Sequence, residues 1–285
     1  MRGKSAGLSV KTIKGEKTME KIGFIGCGNM GSALAKAACK SAGADHVMLA
    51  NRTKAKAEAL ASELGCTACG NEQIASECQW IFLAVKPQMM ADMLAGIAPV
   101  LRGRSDGFVL VTMAAGLSCE GIAQMAGGDY PVIRIMPNTP VAIGQGVVQV
   151  CANAKVSREQ LEACKALLAP AGLVDEIEEK LIDAASSVSG CGPAFAYLFI
   201  EALADGGVAC GLPRAKALQY AAQMLAGSAE LVLQSGQHPG QLKDAVCSPG
   251  GTTIQGVRAL EANGFRSAAM EAVLAAYEKT LKIGK

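Results

Sequence analysis

Residues 22–52, IGFIGCGNMGSALAKAACKSAGADHVMLANR, decide the fold of the first half of the chain. The short apolar run from Lys21 to Ile25 predicts a buried strand, and the run 26–31 after it has the spacing G-x-G-x-x-G. The Ala-rich segment from Ser32 to Ser41 favours a helix, and Val47 to Ala50 predicts a second strand. A strand, a glycine turn, a helix and a strand in this order are typical of a dinucleotide-binding unit.

Each glycine of this motif has a predicted physical task. Gly26 permits a tight turn, Gly28 lets the backbone approach a pyrophosphate, and Gly31 lets the helix pack close to the strand. The helix N-terminus then presents free N–H groups and the positive end of its dipole to the phosphates. A glycine turn that serves only close packing is the alternative.

The end of the second predicted strand indicates which nicotinamide cofactor is preferred. NAD-selective folds place an acidic residue there to bind the ribose 2′-hydroxyl, whereas this chain has Asn51, Arg52 and Thr53. A guanidinium between two hydrogen-bonding neighbours attracts a 2′-phosphate. We therefore predict a preference for NADPH, with NADH use left open, and an ordinary surface role is the alternative for Arg52.

Further apolar runs predict that strands and helices continue to alternate. The next strands are expected over 80–85, 108–113 and 131–136, and 147–150 and 173–177 would complete the sheet. Runs that are apolar throughout are typical of strands that are buried on both faces. The sequence therefore predicts an α/β fold with a Rossmann-like, doubly wound sheet.

The carboxyl ends of these strands are where such a sheet binds ligands. Three of the predicted strands end at Lys86, at Ala115-Gly116 and at Asn138-Thr139. We expect these residues to line the nicotinamide end of the crevice, with Lys86 available to bind phosphate or ribose. A solvated loop lysine is the alternative for Lys86.

From about Leu181 the pattern changes from strands to long helices. The segments 194–209 and 213–235 are apolar, rich in Ala and poor in charge. Helices of this kind favour an obligate dimer interface. The predicted organisation is an extension over 1–18, a dinucleotide-binding Rossmann domain over 19–180, and an all-α helical dimerisation and substrate domain over 181–285.

A glycine-rich segment interrupts the helical half. Residues 248–253, Ser-Pro-Gly-Gly-Thr-Thr, combine two glycines with three hydroxyls just before a predicted helix over Ile254–Ala262. Free N–H groups and hydroxyls at a helix N-terminus bind a carboxylate without a cation. We interpret the segment as an anion site, with a plain capping turn as the alternative.

Composition argues against several other classes of protein. The net charge is +2 and no basic stripe is visible, so we expect no nucleic-acid partner. No apolar run of about 18 residues is free of charges and helix breakers, so no membrane span is predicted. An odd count of 11 Cys, scattered through apolar segments, favours reduced thiols and a cytoplasmic location.

The sequence offers little support for a metal site or a catalytic histidine. The pair Cys66 and Cys69 has no second pair and no nearby His, so no metal site is predicted. His46 precedes the second strand and His238 lies in a polar turn, so neither is expected to act as a catalytic acid.

Several motifs together make the chain similar to one known family. GFIGCGNMGSA (23–33), LAVKPQ (83–88), IRIMPNTP (133–140), SGCGPAF (189–195) and HPGQLKDAVCSPGGTT (238–253) strongly resemble pyrroline-5-carboxylate reductase, and the resemblance runs from Met19 onward. It implies hydride delivery from NAD(P)H to C5 of 1-pyrroline-5-carboxylate, which yields L-proline. It also implies a homodimer with interleaved helical domains, active sites that combine two subunits, and larger assemblies such as decamers.

The resemblance also assigns site residues position by position. The cofactor residues it implies are Gly26, Cys27, Gly28, Asn29, Met30, Gly31, Asn51, Arg52, Thr53, Asn71, Ala84, Val85, Lys86, Pro87 and Ala115. The substrate carboxylate is assigned to Ser248, Gly250, Gly251, Thr252 and Thr253. Thr253 matches the family's hydroxyl near the ring nitrogen and is the expected catalytic residue. Cys191 and Cys247 stand where Ser or Thr is more usual, which puts only a hydrogen bond in doubt.

Two rival functions stay open at the level of sequence. A β-hydroxyacid dehydrogenase shares the plan of a Rossmann domain followed by helices, but alcohol oxidation needs a general base and the segment 190–196 supplies no Lys. A non-catalytic NADP-binding regulator would keep the glycine turn and would not need the segment 248–253.

Overall fold

A computed structural model describes residues 20–283 of the chain. The predicted extension over 1–18 therefore lies outside the described residues. Within them, one eight-stranded sheet with helices on both faces is followed by a region made only of helices. This architecture confirms the predicted fold class.

The strands of the sheet are short and mostly apolar. They span Ile22–Ile25 (β1), Val47–Ala50 (β2), Thr67–Ala68 (β3), Trp80–Leu83 (β4), Val109–Thr112 (β5), Val132–Pro137 (β6), Gly146–Ala152 (β7) and Gly172–Glu176 (β8). Their order across the sheet is β3-β2-β1-β4-β5-β6-β7-β8. Every residue of β1, β2, β4, β5 and β6 is buried, as expected for strands covered on both faces.

The order of the strands reverses beside β1. The chain runs outward from β1 through β2 to β3, and β4 then returns to the other side of β1. The connections on the two sides of this point leave the sheet in opposite directions. The carboxyl ends of β1 and β4 therefore flank a crevice, which is where open α/β sheets bind their ligands.

Helices cover both faces of the sheet and give it two apolar cores. The helices on one face are Asn29–Ala42 (α1), Lys54–Leu64 (α2) and Arg158–Leu168 (α6), and those on the other are Asn71–Glu77 (α3), Met90–Arg102 (α4) and Cys119–Ala126 (α5). The rings of Phe24 and Phe82 stack in the first core with their centroids 4.4 Å apart. Leu94 and Ile97 lie fully buried in the second core.

The last two strands, β7 and β8, run opposite to the other six. β7 pairs with β6 in antiparallel register, whereas every other pairing in the sheet is parallel. The connection over 138–145 consists of one short 3-10 turn and Gly144, whose φ is +74°. A link of this length is too short for the crossover that a parallel neighbour requires. The sequence predicts this strand but not its direction.

The second half of the described chain is helical, as predicted. Its helices span Ile182–Ser189 (α7), Gly192–Ala209 (α8), Arg214–Ser235 (α9), Pro239–Ala245 (α10), Thr252–Ala262 (α11) and Phe265–Thr280 (α12). The helix predicted from Ile254 begins at Thr252, because the extended backbone of Gly251 already forms its N-cap. α8 and α9 agree with their predicted bounds to within two residues.

α7 connects the helical region to the sheet. The Nδ2 of Asn138, at the end of β6, donates to the carbonyl oxygen of Ser189 at 3.0 Å. The Nε2 of Gln149 on β7 donates to the Ser189 hydroxyl at 2.5 Å. α12 also packs against α7, so the end of the described chain returns towards the sheet.

Little of the helical region is buried within a single chain. Ala204 is the only buried residue of α8, and no residue of α11 or α12 is buried. Leu198 is 67% exposed and Leu233 is 76% exposed. Apolar side chains at this level of exposure need a partner surface.

The stretch Glu179–Ala209 is long and apolar enough, by length and composition, to cross a membrane. The sequence predicts no membrane span, and length and composition alone do not establish one. Gly190 stays in the right-handed helical conformation, and Pro193 falls in the first turn of α8, where its missing N–H costs no hydrogen bond.

Candidate cofactor and substrate sites

The glycine turn between β1 and α1 has the geometry that its sequence predicts. Gly26 has φ +114°, and a Cβ there would lie 2.4 Å from the carbonyl oxygen of Ala84. A Cβ on Gly31 would lie 2.1 Å from the carbonyl oxygen of Gly26. A Cβ on Gly28, in contrast, meets no atom within 4 Å. Gly26 and Gly31 are therefore required by close packing, whereas Gly28 leaves an open approach to the backbone.

Asn51 fastens this turn to the end of β2. Its Oδ1 accepts a hydrogen bond from the backbone N–H of Cys27 at 3.1 Å, and its Nδ2 donates to the carbonyl oxygen of Thr53 at 3.0 Å. Gly26 N–H donates to the carbonyl oxygen of Ala50 at 2.7 Å. The oxygen and the nitrogen of the Asn51 side-chain amide are thus both hydrogen-bonded within the protein, so the side chain positions the turn.

The thiol of Cys27 lies inside the turn. It is buried and donates to the carbonyl oxygen of Ala50 at 3.6 Å. Burial raises the pKa of Cys27 to about 11, with smaller contributions from Cys66 and Cys69. The thiol is therefore protonated near neutral pH and adds no negative charge beside a phosphate-binding turn.

A cleft of about 900 Å³ opens at the switch point of the sheet. The predicted cofactor residues that line it are Gly26, Cys27, Gly28, Asn51, Arg52, Thr53, Asn71, Ala84, Val85 and Lys86. The predicted residues outside its lining are Asn29, Met30, Gly31, Pro87 and Ala115. Of these, Asn29 and Met30 form the first turn of α1, whose N–H groups lack partners within the helix.

The structure adds cations that the sequence analysis does not include. Lys54 and Lys56 line the cleft together with Arg52, and all three are exposed. None of them forms an ion pair with a residue between 20 and 283. Three free positive charges at one end of the cleft attract a dianionic phosphate. A signal was present in the sequence, since Lys54 and Lys56 directly follow Arg52 and Thr53 in the chain.

The other end of the cleft lies beyond β4. Lys86 lines it, whereas Ala115 and Gly116 follow β5 just outside the lining. Gly116 has φ +75°, and a Cβ there would lie 2.6 Å from the carbonyl oxygen of Ile283. The end of the described chain therefore packs on the loop after β5.

Asn138 does not behave as the sequence predicts. It is buried, its Oδ1 accepts from the N–H of Val147 at 2.9 Å, and its Nδ2 donates to Ser189. The oxygen and the nitrogen of its amide are both hydrogen-bonded in joining β6, β7 and α7. A role for Asn138 in contacting a ligand is therefore replaced by a role in holding the sheet to the helical region.

The segment 248–253 forms a turn with an uncapped helix start. Gly250 has φ +70°, and the N–H of Gly251 donates to the carbonyl oxygen of Ser248 at 3.0 Å. A Cβ on Gly251 would lie 2.4 Å from the Ser248 hydroxyl oxygen, so glycine is needed to let that hydroxyl approach α11. No side chain caps α11. Its first N–H groups and the exposed hydroxyls of Thr252 and Thr253 are thus available to an anion.

The two candidate sites are not joined within one chain. No residue of 248–253 is among those that line the cleft. The helical region that carries the turn is also the part with the unpartnered apolar surface.

His238 has a structural role. Its Nδ1 accepts a hydrogen bond from the N–H of Gly240 at 3.0 Å and so caps α10.

A glycine turn at the switch point of a doubly wound sheet, followed by an apolar helical region, defines a dinucleotide-dependent oxidoreductase of the two-domain kind. Residues 179–283 match the family model for pyrroline-5-carboxylate reductase dimerisation, and residues 21–116 match that for coenzyme F420-dependent NADP oxidoreductase. The pyrroline-5-carboxylate reductase of Escherichia coli (strain K12) is 41% identical over 269 residues, which cover 93% of this chain and 99% of that protein. The chain belongs to the pyrroline-5-carboxylate reductase family.

Further relatives and a solved structure agree with this assignment. The pyrroline-5-carboxylate reductase of a Synechocystis strain is 46% identical over 215 residues, covering 75% of this chain and 79% of that protein. A crystal structure of Plasmodium falciparum pyrroline carboxylate reductase with NADP bound superposes with a TM-score of 0.83 at 35% identity, covering 95% of this chain and all of that one.

Proposed function

We propose that this chain reduces 1-pyrroline-5-carboxylate to L-proline with NADPH. The observation that carries the proposal is the likeness to the Escherichia coli enzyme over 93% of this chain and 99% of its relative, which spans the glycine turn and the segment 248–253 alike. The proposal extends the family assignment to a substrate, a cofactor preference and a division of roles among residues.

The cleft fits a nicotinamide dinucleotide carrying a 2′-phosphate. Gly28 leaves room for a pyrophosphate, and α1 and α3 begin beside the cleft. Arg52, with Lys54 and Lys56, supplies the positive charge that a 2′-phosphate requires. No carboxylate follows β2 at 51–53 to repel that phosphate. NADPH, when bound, supplies the hydride.

The segment 248–253 is proposed to hold the substrate carboxylate. Ser248, Thr252 and Thr253 provide hydroxyls, and α11 provides backbone N–H groups and the positive end of its dipole. The segment lies outside the cleft of its own chain, so we propose that it completes the cleft of a partner subunit. The dimerisation model over 179–283 and the exposed apolar side chains of α8 and α9 support this arrangement.

The reaction places modest demands on the protein. The protonated imine is an electrophile, and a hydride added to C5 turns the C=N bond into the C–N bond of proline, with the proton already on nitrogen. The protein therefore has to orient the ring, exclude water and hold the hydride donor within about 3–3.5 Å of C5. We assign Thr253 the role of hydrogen-bonding the ring nitrogen, so that the proposed site needs no catalytic histidine.

The same assignment leads to proposals about assembly and location. We propose a homodimer with interleaved helices, with a decamer as a larger assembly, in the cytoplasm. The apolar stretch Glu179–Ala209 lies within the region matched by the dimerisation model, so a second subunit is the surface that covers it. No membrane and no nucleic acid is required as a partner, in line with a net charge of +2.

An initial-rate assay separates this function from its rivals. We expect the purified chain to oxidise NADPH when 1-pyrroline-5-carboxylate is added and to leave 3-hydroxy acids with NADP unchanged. Turnover of a hydroxy acid would favour a β-hydroxyacid dehydrogenase, which the relatives do not support. Cofactor binding without turnover of either substrate would favour a regulator and refute the proposal.

A further inference from the structure

Three potential metal ligands from separate elements converge beside the sheet, away from the cleft. They are Cys119, the first residue of α5, Cys151 on β7, and Glu179 in the turn before α7. The two sulfurs and one carboxylate oxygen all lie within 4.8 Å of one another. None of the three lines the cleft. We propose that this trio, the Cys119–Cys151–Glu179 site, binds a zinc ion.

The spacing of the three ligand atoms suits tetrahedral zinc. Zinc–sulfur bonds of about 2.3 Å place two sulfurs of a tetrahedron about 3.8 Å apart. A spread within 4.8 Å is closed by rotamer adjustments of less than about 1 Å at each ligand. Two thiolates with one carboxylate are also a donor set that favours zinc over calcium or magnesium.

The site is anchored before any ion arrives. The backbone N–H of Cys119 donates to Oε1 of Glu179 at 2.7 Å, which fixes the carboxylate against the start of α5. Cys119 and Cys151 are 1% and 5% exposed. The Glu179 side chain is 37% exposed, so an ion reaches the two thiols from its side. That opening leaves the fourth position of the tetrahedron to water.

A buried arginine balances the charge of the site. A zinc ion with two thiolates and a carboxylate has a net charge of −1. Arg134, which pairs in register with Cys151, has an Nη1 3.8 Å from Oε1 of Glu179 and an Nη2 2.6 Å from Oδ1 of Asp183. Its Nε is buried and has no hydrogen-bond partner among the described residues. The guanidinium of Arg134 therefore has a free N–H donor beside the trio, and a negatively charged metal site would accept a hydrogen bond from it.

The ion would connect the sheet to the helical region. α5 and β7 belong to the sheet layers, and Glu179 begins the segment that continues into α7. Zinc on all three would cross-link this junction, which Asn138 and Gln149 already tie by hydrogen bonds. We therefore assign the site a stabilising role that is independent of turnover.

Cobalt is the probe of choice because thiolate ligation gives it a near-ultraviolet charge-transfer band. The reduced full-length chain, titrated with Co²⁺, should take up one ion per protomer with this band, and Zn²⁺ should displace it. Zn²⁺ should also raise the Tm by about 4 °C or more. A reduced wild-type chain that shows no thiolate band would overturn the proposal.

Variants locate the ion. Cys119→Ser and Cys151→Ser should each abolish the charge-transfer band, and Glu179→Gln should weaken Zn²⁺ binding by at least about tenfold while its amide oxygen still accepts from Cys119. The matched control is Cys66→Ser/Cys69→Ser, which removes the chain's only C-x-x-C and should keep the band. Glu179→Gln leaves both core thiols in place, so it decides the matter if the Cys variants fail to fold. Loss of the band in the control, or unchanged affinity in Glu179→Gln, contradicts the proposal.

Discussion

At the scale of the residue, Arg52 is proposed to set the cofactor preference through its charge. It is exposed, lines the cleft and forms no ion pair with a residue that the structure describes. A guanidinium in this state is free to form charge-assisted bonds to a phosphate. A neutral 2′-hydroxyl gains little from the same charge, so we propose that Arg52 favours the binding of NADPH and has little effect on NADH.

Arg52→Ala should raise the KM for NADPH by about 10- to 100-fold, because bonds between charged groups contribute about 1.5–3 kcal/mol. The KM for NADH should stay within about twofold. Steady-state kinetics with each cofactor measure both. Arg158→Ala, at an exposed arginine of α6 outside the cleft, is the matched control and should change neither value. An equal effect of Arg52→Ala on both cofactors would contradict the assignment.

Thr253 is the residue proposed to contact the reacting ring. Its hydroxyl is exposed at the start of α11 in the single chain. Thr253→Ala should lower kcat/KM for 1-pyrroline-5-carboxylate by about 10- to 100-fold, the equivalent of one hydrogen bond to a charged group. Thr253→Ser should keep most of the activity because it keeps the hydroxyl, and the Kd of NADPH should be unchanged in both. Unaltered kinetics in Thr253→Ala would remove the proposed role.

At the scale of the element, two glycines of the turn between β1 and α1 have different tasks. Gly31 serves the packing of the fold, and Gly28 leaves space for a ligand. Gly31 faces the backbone of Gly26 and the side chain of Ala84, whereas Gly28 faces open space. Substitution by the same small side chain should therefore have different consequences at the two positions. A Cβ at Gly31 would crowd the contact between helix and strand, whereas a Cβ at Gly28 would crowd only a bound ligand.

Gly31→Ala should lower the free energy of unfolding by about 2 kcal/mol, because a tight interior contact has to open. Gly28→Ala should cost less than about 1 kcal/mol of stability, the size of an N-cap effect, and should weaken NADPH binding by at least about tenfold. Denaturant unfolding and cofactor titration measure the two quantities. The reverse pattern, with Gly28→Ala the unstable variant, would refute this reading of the turn.

The elements themselves were largely predictable from the sequence, and the reason is burial. β4 and β5 are covered on both faces, so their apolar runs are continuous and easily recognised. β3 has only two residues, neither of them buried, and so carries no such signal. The antiparallel direction of β7 depends on the length of its connection rather than on the strand's own residues.

The candidate sites were predictable to a different extent. The glycine turn and the segment 248–253 are continuous in sequence, so their residues could be named. Cys119, Cys151 and Glu179 are far apart in the sequence and are brought together by the fold, so no local sequence spacing predicts the trio. The engagement of Asn138 by Ser189 is likewise a tertiary contact, which a strand-end position alone does not reveal.

At the scale of the whole molecule, the two candidate sites are not joined within a single chain. The cleft belongs to the sheet, and the uncapped start of α11 belongs to a helical region whose apolar side chains lack cover. A dimer with interleaved helical regions covers this surface and brings the start of α11 to the partner's cleft. This is the architecture we propose.

Mixed dimers test the shared site. Gly28→Ala impairs the cleft and Thr253→Ala impairs the start of α11, so each homodimer should be weakly active. Co-expressed in equal amounts, the two variants should recover about a quarter of wild-type activity, because half of the dimers are mixed and each contains one intact pair. Purified mixed dimers, selected with two different tags, give the cleaner value of about half. No recovery would show that each chain completes its own site.

The transfer of a hydride to C5 of the cyclic imine is the central step of the proposed reaction. The most direct measurement uses NADPH deuterated at the transferred position, with 1-pyrroline-5-carboxylate as substrate and NMR of the product. We predict L-proline with one deuterium at C5 and with one NADPH consumed per proline formed. Cofactor oxidation without proline, or proline whose C5 carries no deuterium from the cofactor, would contradict the account.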